Sequence, residues 1–428
     1  MTTAMLVILA VWFVVLFLGP PIWLAMALAA MAFLAYAGIP DLAVAQRIAK
    51  AADSFPLLAA PLFILMGNIM NSGGTTRRIF EFAKVCVGWM RGGLCHANIV
   101  ASVIFAGTSG SAVADAGGLG TLEIKAMTDE GYPVDIAAAV TASSATIGPI
   151  IPPSLPLIIY GVSAEASIGA LFIAGIVPGL LMAGALMLMV RAISVKLDLP
   201  RHPFPGVRDL WRAFRDAFWA LMTPVILFAG LFGGVFTPTE AAAVSVAYAL
   251  VLGLVIYREF RLADLARLIL ETVETTGVVL ALVMTASLMA YCLSLSRLPQ
   301  SAGAWLTALT DQPLVYLLIV NAILLVVGCF MEALATMLIL VPILVPVALK
   351  LGIDPIQFGL VFVLNLMIGT ITPPVGVVLY VTSKVAGISF ERVTIATLPF
   401  LVPLLVVLAA ITLWPPLTTW LPRLLLGS

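Results

Sequence analysis

Apolar residues fill most of this chain in long runs, and short polar clusters separate them. The runs fall at 4–18, 21–37, 56–70, 135–151, 167–190, 219–236, 240–257, 268–295, 314–329, 333–349, 356–371 and 393–414. Crossing roughly 30 Å of hydrocarbon takes about 20 helical residues, so the pattern predicts about a dozen membrane helices, some of them short or interrupted. The first run, MTTAMLVILAVWFVVLFLGPP, has neither a basic leader nor a small-residue cleavage site. It reads as a first membrane helix rather than a removed signal peptide. The fold class expected is an all-α polytopic membrane protein.

Two polar, Gly- and Pro-rich clusters sit where such helices should run on: GTSGSAVAD at 107–115 and TIGPIIPPS at 146–154. Consecutive prolines delete donors and clash with the preceding turn, which makes a continuous helix through Pro152-Pro153 improbable. Shifting the sequence by 221 residues places Gly107 on Gly328, Gly131 on Gly352, Gly148 on Gly369 and Pro152-Pro153 on Pro373-Pro374. After a gap of one residue, Tyr160, Ser163 and Ala166 fall on Tyr380, Ser383 and Ala386, and Pro178 returns to register with Pro399. The chain is therefore read as a duplicated unit in which both halves carry the same two breaks: 106–112 and 146–154, then 328–335 and 369–376. Non-helical backbone at membrane depth is tolerated where protein or a watery cavity covers it. There it presents carbonyls to cations and half-helix N-termini to anions, as a secondary transporter requires. Small residues that let helices approach closely are the competing explanation for any single glycine motif.

Composition agrees: 62% of the residues are hydrophobic and 10% charged, with a mean hydropathy of +1.17. Lys and Arg number 21 and so do Asp and Glu, which leaves no basic face for nucleic acid. Six of the cations (Arg191, Lys196, Arg201, Arg208, Arg212, Arg215) lie in 191–217, predicted to be a basic cytoplasmic loop. Cys86, Cys95, Cys292 and Cys329 are scattered without CxxC spacing, and His96 and His202 are assigned structural or interfacial places. No nucleophile–base pattern, phosphate-binding loop or metal motif is present, so an enzyme is not expected. Asp115, Glu332 and Lys384 lie in or beside the breaks, as functional charges or satisfied structural ones. Glu123, Lys125, Asp129 and Glu130 are read as the aqueous end of a hairpin, and Asn68 as lining a cavity or bonding to a neighbouring helix.

The block from 106 to 182, AGTSGSAVADAGGLGTLEIKAMTDEGYPVDIAAAVTASSATIGPIIPPSLPLIIYGVSAEASIGALFIAGIVPGLLM, resembles the large membrane subunit of tripartite ATP-independent periplasmic (TRAP) transporters. GNIMNSGG at 67–74 and MIGTITPPVG at 367–376 are similar to the same family, and the likeness extends over essentially the whole chain. It implies a multi-pass protein of a bacterial inner membrane that imports organic acids with Na⁺. It also implies two partners besides the lipid bilayer, a small four-helix membrane subunit and a periplasmic substrate-binding protein. The implied fold is an elevator with re-entrant helical hairpins and broken helices. Its parts are N-terminal scaffold helices in 1–55 and a first repeat in 56–190, with its hairpin near 95–128 and broken helix near 135–163. After the basic loop come scaffold helices in 218–275 and a second repeat in 276–428, with its hairpin near 314–349 and broken helix near 356–387. Carried over by position, the first site comprises Gly107, Thr108, Ser109, Gly110 and Ser111 facing Thr146, Gly148, Pro149, Pro152 and Pro153. The second comprises Gly328, Cys329 and Glu332 facing Gly369, Thr370, Thr372 and Pro373. Hydroxyls and unwound carbonyls supply the oxygens that a hard cation such as Na⁺ takes; the second tip, poorer in Ser and Thr, would rely on carbonyls. A stand-alone Na⁺/carboxylate or anion symporter of related design and a passive channel are the alternatives.

Overall fold

The computed structural model describes residues 7, 10, 12, 15, 19–72, 74–201, 203–297, 301 and 310–427. The apolar run 4–18 and His202 therefore fall largely or wholly outside the described residues. In chain order the helices are α1 (Ile22–Tyr36), α2 (Asp41–Ala52), α3 (Ala59–Ser72, after a 3₁₀ turn), α4 (Thr75–Val87), α5 (Gly93–Ser109), α6 (Ala112–Gly117) and α7 (Leu119–Asp129). Next come α8 (Val134–Ala145), α9 (Leu155–Ser163), α10 (Ile168–Lys196), α11 (Val207–Phe232), α12 (Pro238–Val251) and α13 (Leu262–Ser296). The last are α14 (Pro313–Gly328), α15 (Ala333–Lys350), α16 (Pro355–Gly369), α17 (Val377–Ala386), α18 (Phe390–Leu413) and α19 (Pro416–Leu426). Among the described residues, seven helical stretches are long and apolar enough to cross a membrane. The protein is an all-helical, multi-pass membrane protein.

Local chemistry sets the ends. Ser111, Ser154, Ser167, Glu332 and Asp354 each accept a backbone N–H of the first turn that follows, and Thr237 with Glu240 forms a capping box. Single prolines lie inside α10, α11, α15 and α18 without ending them, whereas the tandem pairs Pro152-Pro153 and Pro373-Pro374, each with a cis bond, stand in non-helical chain. The apolar runs 135–151 and 356–371 are accordingly not single spans. Helix α8 stops at Ala145 and resumes as α9, and α16 stops at Gly369 and resumes as α17. The segment 191–217 is mostly helical too: α10 runs to Lys196 and α11 starts at Val207, which leaves 197–206 as the connection.

The two repeats are inverted, which sequence alignment alone leaves open. Helix α10, 29 residues long, spans about 44 Å and so defines two faces. At its C-terminal end Pro200 O accepts from Gly92 N at 3.1 Å and from the Tyr132 hydroxyl at 3.3 Å, so the base of the first hairpin stands on the basic face. At its other end the hydroxyl of Tyr160, late in α9, donates to Pro355 O at 2.8 Å, so α16 starts from the opposite face. The first break thus lies about 18 Å along α8 from one face and about 14 Å along α9 from the other, near mid-depth. The hairpin of each repeat also packs on the broken helix of the other: α15 against α9, and α6 and α7 against α17. Helices α1, α2 and α3 pack along α13, and α11 packs on α4 and α12.

A buried polar pair pins each hairpin to its own broken helix. In the first repeat Ser144 Oγ donates to Asn98 Oδ1 at 2.5 Å; in the second, Asn365 Nδ2 donates to Asn321 Oδ1 at 2.8 Å. Ser144 and Asn365 are equivalent under the 221-residue shift. Asn365→Leu keeps the branching and number of heavy atoms but leaves Asn321 without its donor, so unfolding by denaturant in detergent is expected to come at about 1–3 kcal/mol lower stability. An unchanged midpoint would show that the pair holds nothing.

Candidate functional site

At the first tip α5 ends at Ser109, and Gly110 turns the chain with φ 63°. A Cβ on Gly110 would stand 2.5 Å from Pro153 O and 3.3 Å from Leu155 N, so the tip lies directly on the first break. Thr108 and Ser109 close the helix; their side chains fall outside the described residues. Ser111 Oγ caps α6 by accepting Ala114 N at 3.4 Å. Gly107 points elsewhere: its Cβ position is 2.8 Å from Pro224 of α11. Across from the tip, Thr146 Oγ1 donates to Ser143 O at 2.6 Å, and the Ser154 hydroxyl donates to Pro149 O while accepting Leu157 N at 3.1 Å. Gly148 is required because the buried carboxylate of Asp115 occupies the place of any Cβ.

The second pair is built the same way with different atoms. A Cβ on Gly369 would lie 2.7–2.8 Å from the Gly328 backbone, so two glycines let the second tip and break touch. Val375 N donates to Cys329 O at 3.3 Å, and the Cys329 thiol turns back onto Leu325 O at 2.9 Å. Glu332 caps α15, its Oε2 accepting Ala335 N at 3.0 Å. Thr370 and Thr372 donate to Met367 O and Ile368 O at 2.6 and 2.7 Å, just before Pro373. A hydroxyl whose proton is committed to its own helix keeps its lone pairs available as acceptors.

The four breaks meet. Gly110 and Ser111 of the first tip, Pro149 of the first break, Glu332 of the second tip, and Met367 and Thr370 at the second break line one cavity of about 60 Å³. The starts of α9 and α15 also face it, as Leu155 and Ala333. Helix N-termini favour an anion there, while the α16 carbonyl end, the hydroxyls and Glu332 favour a cation. A cavity of this size has room for ions with their ligand waters. A cleft of about 740 Å³ lies apart from this chemistry, between α4 and α11; its four arginines (77, 78, 212, 215) are balanced by four acids (81, 209, 216, 259), so it offers no net field for an anion.

Asn68 donates to Thr272 Oγ1 at 3.0 Å, the helix-to-helix alternative. His96 is buried in the core, and Lys384 is exposed late in α17. Glu130 does mark the hairpin's base, paired with Lys84 at 2.5 Å. Glu123 does not: it is 1% exposed and accepts Asn98 Nδ2 at 2.7 Å, because α7 turns that face onto α5 and α8. The polar pins Asn98, Ser144, Asn321 and Asn365 escaped the sequence reading, although the coincidence of Ser144 with Asn365 in the repeat was available as a signal.

Residues 9–417 match the family described as "Tripartite ATP-independent periplasmic transporter, DctM component". The chain is 48% identical over 417 residues to the sialic acid TRAP transporter large permease protein SiaM of Vibrio cholerae, covering 97% of this chain and 98% of that one. It is 42% identical to the sialic acid TRAP transporter permease protein SiaT of Haemophilus influenzae, covering 99% of this chain and 69% of that one. To the C4-dicarboxylate TRAP transporter large permease protein DctM of Pseudomonas aeruginosa it is 40% identical, with 89% of each chain covered. Among solved structures the YdaH transporter of Alcanivorax borkumensis has a similar fold, with a TM-score of 0.65, 17% identity and 90% of each chain covered.

Proposed function

As this chain belongs to the DctM component family of tripartite ATP-independent periplasmic transporters, we propose that it imports an organic acid across a bacterial inner membrane, driven by Na⁺. The single observation that carries the reading is the meeting of both hairpin tips and both helix breaks around one small cavity between inverted repeats. One Na⁺ site per tip–break pair follows, with hydroxyl and carbonyl oxygens as ligands and Glu332 the one acid on the cavity wall. Each charge carried inward across about 100 mV contributes roughly 2.3 kcal/mol, so two ions drive uptake of a monoanion even before the Na⁺ gradient is counted.

The crossed packing of each hairpin on the other repeat's broken helix supports movement of both sites as one body. We assign that moving body to the hairpins and broken helices within 56–190 and 276–428, and the scaffold to α1, α2 and α11–α13. The partners are a small four-helix membrane subunit and a periplasmic binding protein that delivers the acid. The stretch of SiaT left uncovered by this chain gives room for a further subunit fused to it. The alternative, a stand-alone symporter, would need no partner.

Na⁺ activation tests the ligand assignment. Ser109→Ala or Ser111→Ala at the first site, and Thr370→Val or Thr372→Val at the second, are expected to raise the Na⁺ concentration for half-maximal uptake several-fold. Losing one oxygen costs about 1–2 kcal/mol of ion binding. Initial rates are measured against Na⁺ with partners and substrate saturating. If all four variants keep the parent's half-saturation and Hill slope, side-chain oxygens are not the ligands.

A further inference from the structure

The hydrogen-bonded chain that pins the first hairpin does not end in neutral groups. Asn98 accepts from Ser144 and donates from Nδ2 to Thr141 Oγ1 at 2.7 Å and to Glu123 Oε2 at 2.7 Å. Glu123 is 1% exposed, and its Oε1 meets no hydrogen-bond partner in the structure. In the second repeat the same pin ends differently: Asn321 donates to Thr412 Oγ1 at 3.0 Å, and the position equivalent to Glu123 is Leu344. A hairpin can thus be held to its broken helix by neutral groups alone, and the acid in the first repeat is not demanded by the packing.

No cation on a neighbouring element is paired with this acid. Against α7 pack α4, α5, α6, α8 and α17. Their titratable and charged groups are Arg77, Arg78, Glu81, Lys84 and Cys86 on α4, Cys95 and His96 on α5, Asp115 on α6, Asp135 on α8, and Tyr380 and Lys384 on α17. Lys84 is engaged by Glu130 and Arg78 by Glu259, and no ion pair among the described residues reaches Glu123. An ionised carboxylate so enclosed at membrane depth is costly without a counter-charge. One oxygen without a partner is too few for a metal ion, whose coordination takes several oxygens. It suffices for a proton.

We propose that Glu123 is a proton-binding site of the first hairpin, separate from the tip cavity, and that one proton rides on it with each acid molecule imported. The proton adds to Oε1 from water on the outer side and leaves to water on the inner side, with no other bond made or broken. This rests on the transport reading above.

The test uses the complete complex in liposomes, with binding protein and small subunit present, a fixed Na⁺ gradient and a pH-sensitive dye inside. For one coupled proton, an imposed gradient of one pH unit, acid outside, changes the limiting accumulation of the acid about tenfold. Glu123→Gln keeps an acceptor for Asn98 but binds no proton, and is expected to lose both the tenfold response and the proton entering per acid. Parent complex that accumulates acid with Na⁺ but moves no proton, or a variant that moves as many as the parent, overturns the proposal and leaves the transport reading standing. Where Glu123→Gln blocks uptake, or the parent imports nothing, infrared spectra of the purified chain decide. A protonated-carboxyl C=O band that disappears as pH is raised, and is missing from Glu123→Gln, supports the site; its absence from the parent overturns it.

Discussion

Uptake by the complex carrying Gly369→Val is expected to fall to background while the protein still folds and inserts. The second tip and second break touch through two glycines, and a Cβ on Gly369 has only 2.7–2.8 Å to the Gly328 backbone. Backbone cannot rotate away as a flexible side chain can, so the branched side chain must push α14 and α16 apart. Overpacking of this kind costs typically 1–3 kcal/mol, within reach of a membrane protein's stability. The site cannot absorb the same shift, because Thr370 and Met367 lie at the displaced end and line the shared cavity. A displacement near 1 Å removes ion coordination, so the loss is expected in rate at all Na⁺ concentrations. Gly184→Val on α10, where no atom lies within 4 Å of the added Cβ, is the matched control and should transport normally. Parent-like uptake by Gly369→Val would show that the tip and break separate freely and that their contact does not form the site.

The chain reconstituted alone is expected to show no uptake of free acid above protein-free liposomes, and the small subunit and binding protein together are expected to restore it. The physical motive is that both tips touch their breaks, Gly110 against Pro153 and Gly328 against Gly369, so a substrate enters between them only after they part. Binding of a loaded partner is expected to favour the arrangement in which they have parted. Robust, saturable, Na⁺-dependent uptake by the lone chain would replace the tripartite reading with the stand-alone symporter.

Much of this was legible from residue order. Tandem prolines at 152–153 and 373–374 forbid a continuous helix whatever surrounds them, and both stand in non-helical chain as expected. Single prolines at 178, 224, 342, 346, 399 and 403 were less informative, since a helix packed among others loses one hydrogen bond there and continues. The basic segment 191–217 carried the right charge for an interface but not its conformation, because Arg208, Arg212 and Arg215 decorate an exposed helical face as readily as a loop. Gly107 and Gly110 looked alike in sequence. Only packing separates them, one against Pro224 of α11 and the other against Pro153 at the break.

By itself, then, the sequence determined the solvent, the duplication and the places where the helices break. Each depends on composition or on the intrinsic geometry of Gly and Pro, which act through neighbours in the chain. Tertiary structure alone decided that the repeats are inverted, that each hairpin leans on the other repeat's broken helix, and that Glu123 is buried at Asn98 instead of wet at the hairpin's base. These depend on which faces meet across long separations, as the 195 residues between Tyr160 and Pro355. A helix that is apolar on all sides carries little periodicity to say which face turns inward, so the choice is made by the fit of side chains once the helices are together.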